Sequence, residues 1–277
     1  MAMKPKEIDR KHRRLQDILK DMKGVLVAFS GGVDSTLLLK VAKDVLGDNV
    51  LAVTAQSETT ARHERLDAER LARFVGAEHL AVASHEFDFP EFVQNSPDRC
   101  YVCKKTRFAD LVELAGQKGF TYVVDGENVD DHRDFRPGML ATRELGVRSP
   151  LGEAGFSKDE IRFLSKKLGL PTWDKLPYAC LASRIPYDMP ITAEKLRQVD
   201  AAEERIRELI QGVQTRVRHY GDTARIEVEP KALAKLIHIG VRNHVVTYFQ
   251  ELGFTYVTLD LEGYRMGSLN RSIDTGK

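Results

Sequence analysis

No run in the 277-residue chain approaches the roughly 20 apolar residues that a bilayer-spanning helix requires. The opening segment MAMKPKEIDRKHRRLQDILKDMKG has no apolar signal-peptide core, so the expected location is the cytoplasm. Cysteine is scarce. Three thiols, an odd number, do not make a disulfide framework for a chain of this length, and they are better read as chemistry. A charge excess is also missing: 42 lysines and arginines against 41 acidic residues leave +1, which argues against nucleic acid or an anionic membrane as partner. Any basic site must be local. There is no internal repeat and no low-complexity tract. What remains is an ordinary globular composition, 42% hydrophobic and 30% charged. The length suits a nucleotide-binding domain of about 180 to 200 residues with a smaller companion.

Residues 7 to 22 place Ile8, Leu15, Ile18, Leu19 and Met22 on one face of a predicted helix, with Lys11, Arg13 and Arg14 on a solvated face. Short apolar runs at Val25 to Phe29, Val50 to Ala55, His79 to Ala83 and Phe120 to Val124 read as strands, with Gly146 to Leu151 as a short fifth. Helical patterns separate them, ending in one from Ser157 to Leu168. Such alternation predicts an α/β fold, an open parallel sheet with helices on both faces. Pro171, Pro177, Pro186 and Pro190 mark a functional loop leading to a boundary near Asp188. The expected domains are therefore 1–188 and a small α+β unit, 189–277. In the latter, a helix spans Ile191 to Ile210, strands span Thr215 to His219 and Ala224 to Val228, and a helix ending at Gly253 precedes a strand from Tyr256 to Leu261.

The segment Ser30-Gly31-Gly32-Val33-Asp34-Ser35-Thr36 sits between a predicted buried strand and a helix. Glycine lets the backbone approach an anion closely, and amides at a helix amino terminus donate to phosphate with a favourable dipole. Ser30, Ser35 and Thr36 add hydroxyls. The G-x-x-x-x-G-K-[ST] loop and the G-x-G-x-x-G fingerprint are both absent, which removes two common nucleotide-binding classes. The string SGGVDST resembles the PP-loop of N-type ATP pyrophosphatases, which grip the departing pyrophosphate and cleave ATP between its α and β phosphates. That resemblance implies ATP and Mg²⁺, with Asp34 the first carboxylate to consider for the metal. Asp125-Gly126-Glu127-Asn128 follows the fourth strand, at the edge where open parallel sheets bind ligands. Asp130, Asp131 and Asp134 beside it read equally well as an acidic turn of helix caps.

Cys100 and Cys103 lie at a predicted helix start, beside Arg99, Lys104 and Lys105, where the helix dipole and the basic neighbours favour thiolates. Cys180 lies far downstream, in the proline-rich loop. Four uses are open at this point. A redox pair at Cys100 and Cys103 leaves Cys180 idle. A structural zinc needs a fourth ligand such as His85 or His132. An iron-sulfur cluster on three thiolates leaves one iron open to an exogenous ligand. Three unrelated buried thiols complete the set.

Across nearly its whole length the sequence resembles the LarE family of ATP-dependent sulfur transferases. The likeness rests on SGGVDST at 30 to 36, Asp134-Phe135-Arg136-Pro137-Gly138, Cys180-x-x-Ser183-Arg184-x-Pro186-Tyr187, Arg216-Val217-Arg218, Ala224-Arg225-Ile226-Glu227 and Tyr256-Val257-Thr258-Leu259-Asp260. It implies adenylation of a carboxylate of pyridinium-3,5-biscarboxylic acid mononucleotide, then exchange of oxygen for sulfur, in nickel-pincer nucleotide synthesis. In single-cysteine members the residue matching Cys180 surrenders its own sulfur and becomes dehydroalanine. This sequence departs from them: Cys100 stands where they have tryptophan, and Cys103 is added. The set is similar to that of three-cysteine members, which implies a [4Fe-4S] cluster on Cys100, Cys103 and Cys180 with a replaceable sulfide on the open iron. The resemblance also implies substrate or phosphate contacts at Arg216 and Arg218 with Glu203 and Glu227 as acidic partners, and trimer-based homo-oligomers, hexamers among them. Arg216 and Arg218 alternate on a predicted strand and so share a face, where they could form a forked anion clamp. For the two glutamates a surface salt-bridge lattice is the competing interpretation.

Two other functions fit parts of the pattern. A tRNA thiolase of the PP-loop class combines a similar loop with CxxC and a distal cysteine, but usually needs a basic RNA platform or zinc modules. An adenine-nucleotide sensor with structural cysteines would bind ATP without turnover.

Overall fold

A computed structural model describes residues 5–131 and 137–265. The elements run α1 (Pro5–Met22), β1 (Val25–Ala28), α2 (Val33–Leu46), β2 (Val50–Gln56), α3 (Arg62–Val75), β3 (Glu78–Ala83), α4 (Pro90–Val93), α5 (Arg99–Gln117), β4 (Tyr122–Val124), α6 (Pro137–Glu144), α7 (Pro150–Glu153), α8 (Lys158–Lys167), α9 (Ala193–Leu209), β5 (Thr215–Tyr220), β6 (Thr223–Val228), α10 (Leu233–Ile237), α11 (Ile239–Glu251) and β7 (Tyr256–Leu259). They form two compact units, residues 1–92 with 98–178, and residues 93–97 with 179–277.

In the first unit four parallel strands pair in the order β3-β2-β1-β4. Side chains alternate across the sheet because the strand period is two. Val25 and Val27 of β1 and Val50 and Ala52 of β2 join a core with α1, α2, α3 and α8, while Leu26, Leu51 and Val53 join a second core with Phe108, Leu111 and Ala115 of α5. Both faces are thereby covered, as the helix-strand alternation predicts. Gly146 to Leu151 is not a fifth strand. A single bridge pairs Val124 with Arg148, and Pro150 then opens the helical turn α7, where proline at N1 suits a helix and denies a strand its donor.

In the second unit β5 and β6 form an antiparallel hairpin and β7 adds parallel to β6. Helix α9 is capped by Thr192, whose Oγ1 accepts from the Lys195 amide at 3.2 Å. It buries Leu196, Val199, Ala202 and Ile206, whose three- and four-residue spacing makes one face, and packs on β5. The units part between Tyr178 and Ala179 rather than near Asp188. Hydrogen bonds account for this. Buried Asn95 donates from Nδ2 to the Pro186 and Met189 carbonyls at 2.6 and 2.8 Å, and its own carbonyl accepts from Asp188 N at 3.2 Å. The strap 93–97, just ahead of Cys100 in sequence, is thus built into the segment that follows Cys180.

Candidate active site

The glycine turn follows β1 directly. Gly31 has φ +68°, and a Cβ there would stand 3.2 Å from Ala68 Cα, so both conformation and space require glycine. The Ser30 and Ser35 hydroxyls lie 3.0 Å apart, and the Gly32 amide donates to Ser30 Oγ at 3.3 Å. Helix α2 begins with Gly32 as its cap residue, without a side-chain cap, so its first-turn amides remain available to an anion. Gly126, past the end of β4, presses on the same helix start: a Cβ there would lie 3.0 Å from Ser35 N and 3.1 Å from Asp34 Cβ. Beside it, Asp125 Oδ1 accepts from the Glu127 amide at 3.1 Å and from Ser149 Oγ at 2.7 Å, which fixes the loop.

Asp34 faces this turn. Its Oδ2 pairs with Lys158 Nζ, while its Oδ1 is buried without a hydrogen-bond partner, as is Thr36 Oγ1. Burial pushes the Asp34 carboxyl above the usual carboxylate range, against the opposing pull of the Lys158 ammonium. An orphaned carboxylate oxygen beside the glycine turn and an uncapped helix start fits a hard, oxygen-seeking cation such as Mg²⁺. Lys158 and Lys175 were not singled out in the sequence. Lys175 Nζ donates to the Gly31 carbonyl at 3.2 Å and pairs with Asp67 and Glu64 at 3.1 and 3.3 Å. For Lys158 a signal existed: it is the first residue of α8, after the Ser157 capping box, where the helix dipole disfavours a cation. The acidic turn is a cap, with Asp130 Oδ2 accepting from Lys158 N at 2.8 Å and Asp131 Oδ2 from Asn128 N at 3.0 Å. His132 and Asp134 to Arg136 lie outside the described residues.

Cys100 and Cys103 occupy the first turn of α5 at i, i+3, so both sulfurs share one helix face. Cys100 is exposed and Cys103 half-buried. Gly138 of α6 lets that helix approach: a Cβ there would meet the Cys100 carbonyl at 3.2 Å and Lys104 Cδ at 2.6 Å. One turn beyond Cys103, Arg107 of α5 is tied to Glu86 and Thr59, both at 2.6 Å, and to Ser57 at 3.1 Å. Burial alone would raise the Glu86 carboxyl, but the Arg107 charge and the Ser57 and Ser84 hydroxyls outweigh it and hold the group at about 2. The helix carrying the CxxC is therefore anchored to the ends of β2 and β3. Among the described residues, no three His, Cys, Asp or Glu side chains gather as a metal-binding group.

In the second unit Cys180 is exposed and caps a short 3₁₀ turn, Leu181–Arg184. Arg184 is completely buried. It donates to Glu203 from Nε at 2.7 Å and Nη2 at 2.8 Å, and from Nη1 to the Ala179 carbonyl at 2.7 Å and the Cys180 carbonyl at 3.1 Å. Glu203 Oε1 also accepts from the Val217 amide at 2.9 Å, so it links the cysteine turn to β5. Arg218 donates to Glu227 and to the Ser183 carbonyl, both at 2.7 Å, and Arg225 joins Glu227 at 2.9 Å. Both neighbouring guanidiniums and their hydrogen bonds overcome burial and keep the Glu227 carboxyl below its usual range. Arg216 donates to the Thr215 carbonyl at 2.7 Å, with its guanidinium 5.1 Å from the Tyr264 ring centroid. Glu203 and Glu227 are buried ion-pair partners rather than members of a surface lattice, and Arg218 joins Glu227 to the Ser183 carbonyl of the Cys180 turn.

The NAD synthase family pattern matches residues 8–110, the stretch holding the glycine turn and the CxxC. The chain is 42% identical over 257 residues to pyridinium-3,5-bisthiocarboxylic acid mononucleotide synthase of Lactiplantibacillus plantarum, covering 92% of each protein. It belongs to the LarE family of ATP-dependent sulfur transferases. An uncharacterized protein of Synechocystis, slr1717, is 45% identical over 95% of this chain and 98% of its own length. The tRNA-specific 2-thiouridylase MnmA of Desulforamulus reducens matches at 25% over 55% of this chain and 53% of its own, so its likeness is distant. As a LarE-family chain the protein is an ATP-using enzyme with the α/β parallel fold. Among the described residues, no helix is long and apolar enough to cross a membrane.

Proposed function

We propose that this protein adenylates a carboxylate of pyridinium-3,5-biscarboxylic acid mononucleotide and converts it to a thiocarboxylate in nickel-pincer nucleotide synthesis, using sulfide on a [4Fe-4S] cluster held by Cys100, Cys103 and Cys180. The observation that carries the substrate assignment is the 42% identity to the Lactiplantibacillus synthase along 92% of both chains. The donor set supports the cluster: three cysteines, two of them at i, i+3 on one helix, would leave one iron of four without a protein ligand.

The glycine turn and the first amides of α2, with Ser30, Ser35 and Thr36, bind the triphosphate, and Asp34 Oδ1 holds Mg²⁺. A substrate carboxylate oxygen attacks the α-phosphorus and pyrophosphate leaves, giving the acyl-adenylate. Arg216 and Arg218 receive the anionic groups of the substrate, with Glu227 orienting Arg218 and Glu203 fixing the cysteine turn through Arg184. A cluster held by the three cysteines would supply the sulfur nucleophile for the acyl carbon, with AMP as the leaving group of the acyl-adenylate. We further infer a cytoplasmic, trimer-based homo-oligomer.

The test is anaerobic purification with iron, acid-labile sulfide and zinc analysis, followed by AMP and pyrophosphate release with the dicarboxylated nucleotide or with bulk tRNA. Iron and sulfide should be present in the native protein and lost in Cys180→Ala, and only the small nucleotide should support turnover. Stoichiometric zinc without iron would refute the cluster, thiolation of tRNA alone would refute the substrate, and ATP binding with neither product would indicate a sensor.

A further inference from the structure

Lys158 lies 124 residues from Asp34 in sequence, yet its ammonium is paired with that carboxylate. The contact is unusual in three ways. Lys158 opens helix α8, a position where the dipole opposes positive charge. Its backbone is pinned there, because its amide donates to Asp130 Oδ2 at 2.8 Å and the Ser157 capping box holds the turn. The side chain itself is 36% exposed against 22% for Asp34, so the ammonium can leave while the carboxylate stays. Around the pair are Gly126, Asp131 and Arg162, and two buried polar atoms without partners, Asp34 Oδ1 and Thr36 Oγ1, the latter on a fully buried residue. Buried polar atoms are ordinarily satisfied, so two orphans beside a helix amino terminus indicate a missing ligand with its own charge.

We propose that Lys158 is a charge-exchange residue: it occupies Asp34 in the nucleotide-free protein and passes to the β and γ phosphates of ATP when Mg²⁺ takes the carboxylate. This rests on the proposed use of Asp34 for Mg²⁺. Before the exchange the cation on Asp34 is an ammonium; afterwards it is the metal, and the ammonium faces phosphate. Every charge keeps an opposite neighbour throughout. Mg²⁺ alone offers the displaced ammonium no anionic partner, only solvent, so it binds at the expense of the ion pair. The device therefore makes metal and triphosphate bind together, and it leaves the ammonium on the departing pyrophosphate, where developing negative charge is stabilised.

Calorimetric titration of the full-length protein with MgCl₂, with and without the uncleavable α,β-methylene analogue of ATP, tests this without turnover. Wild type should bind Mg²⁺ at least tenfold more tightly when the analogue is present. Lys158→Gln should bind Mg²⁺ alone at least tenfold more tightly than wild type, and Mg²⁺ with the analogue at least tenfold more weakly. Lys158→Arg should restore most of the analogue affinity, and unchanged circular dichroism and melting of both variants would exclude misfolding. Equal Mg²⁺ affinity in wild type and Lys158→Gln, with the analogue still binding, would overturn the exchange but leave the ATP site standing. No binding of the analogue to wild type would overturn both.

Discussion

Arg184→Met offers a direct way to separate what holds the cysteine turn from what holds the second unit. Arg184 and Glu203 are 0% and 1% exposed, joined by two bonds of 2.7 and 2.8 Å. Removing one partner of such a pair leaves a buried charge uncompensated, a loss of about 3–5 kcal/mol. The double variant Arg184→Met/Glu203→Leu removes both charges together. What remains, besides the lost Nη1 bonds, is the lost acceptor of the Val217 amide, which costs about 1–3 kcal/mol. Both variants lose the Nη1 bonds to the Ala179 and Cys180 carbonyls, so both should impair sulfur transfer while the double variant regains stability. The single tryptophan, Trp173, lies in the first unit, so its fluorescence does not follow this change. Hydrogen exchange of α9 and β5 amides does. A single variant costing under about 1 kcal/mol, or a double variant as unstable as the single, would refute this assignment of Arg184.

Three further outcomes follow from the same geometry. Glu86 is held at about 2 against 4.5 when unfolded, so its stabilisation, roughly 3 kcal/mol, is present above pH 4.5 and lost as pH falls through 2. Glu86→Gln should lower the urea midpoint at pH 7 and flatten that acid limb; an unchanged limb contradicts it. His219 is lowered to about 4 by burial and by Lys195, so from pH 6.5 down to 4 the unfolded chain takes a proton that the native one refuses. Stability should fall over that window by up to roughly 3 kcal/mol, and His219→Gln should abolish the slope seen in denaturation at stepped pH. Gly31→Ala forces a Cβ to 3.2 Å from Ala68 Cα at φ +68°, so equilibrium ATP binding should drop at least tenfold while circular dichroism stays native; undiminished binding would remove the glycine turn from the site.

The glycine turn between β1 and α2 was legible because glycine carries positional information: Ser-Gly-Gly between a β-branched run and a helical period leaves few alternatives. The parallel sheet was legible from alternation, and the CxxC from its place at a helix start. The short segment at Gly146 to Leu151 was not, since an apolar run does not reveal that Pro150 begins a helical turn. The charged partners were the hardest to see. Lys175 meets Gly31 across 144 residues and Arg184 meets Glu203 across 19, and nothing in a lone arginine or lysine distinguishes burial against a carboxylate from exposure on a surface. The boundary near Asp188 shifted for the same reason, because the bonds of Asn95 to Pro186 and Met189 link distant stretches of chain.

The central claim is that sulfur comes from a replaceable cluster-bound sulfide and not from the protein's own cysteine. Anaerobic turnover of the dicarboxylated nucleotide with ATP, Mg²⁺ and added sulfide, followed by intact-mass measurement of the protein, tests it most directly. More than one thiocarboxylate should form per chain, with Cys180 unchanged. Product limited to one sulfur per chain, with the protein lighter by the elements of hydrogen sulfide, would contradict it.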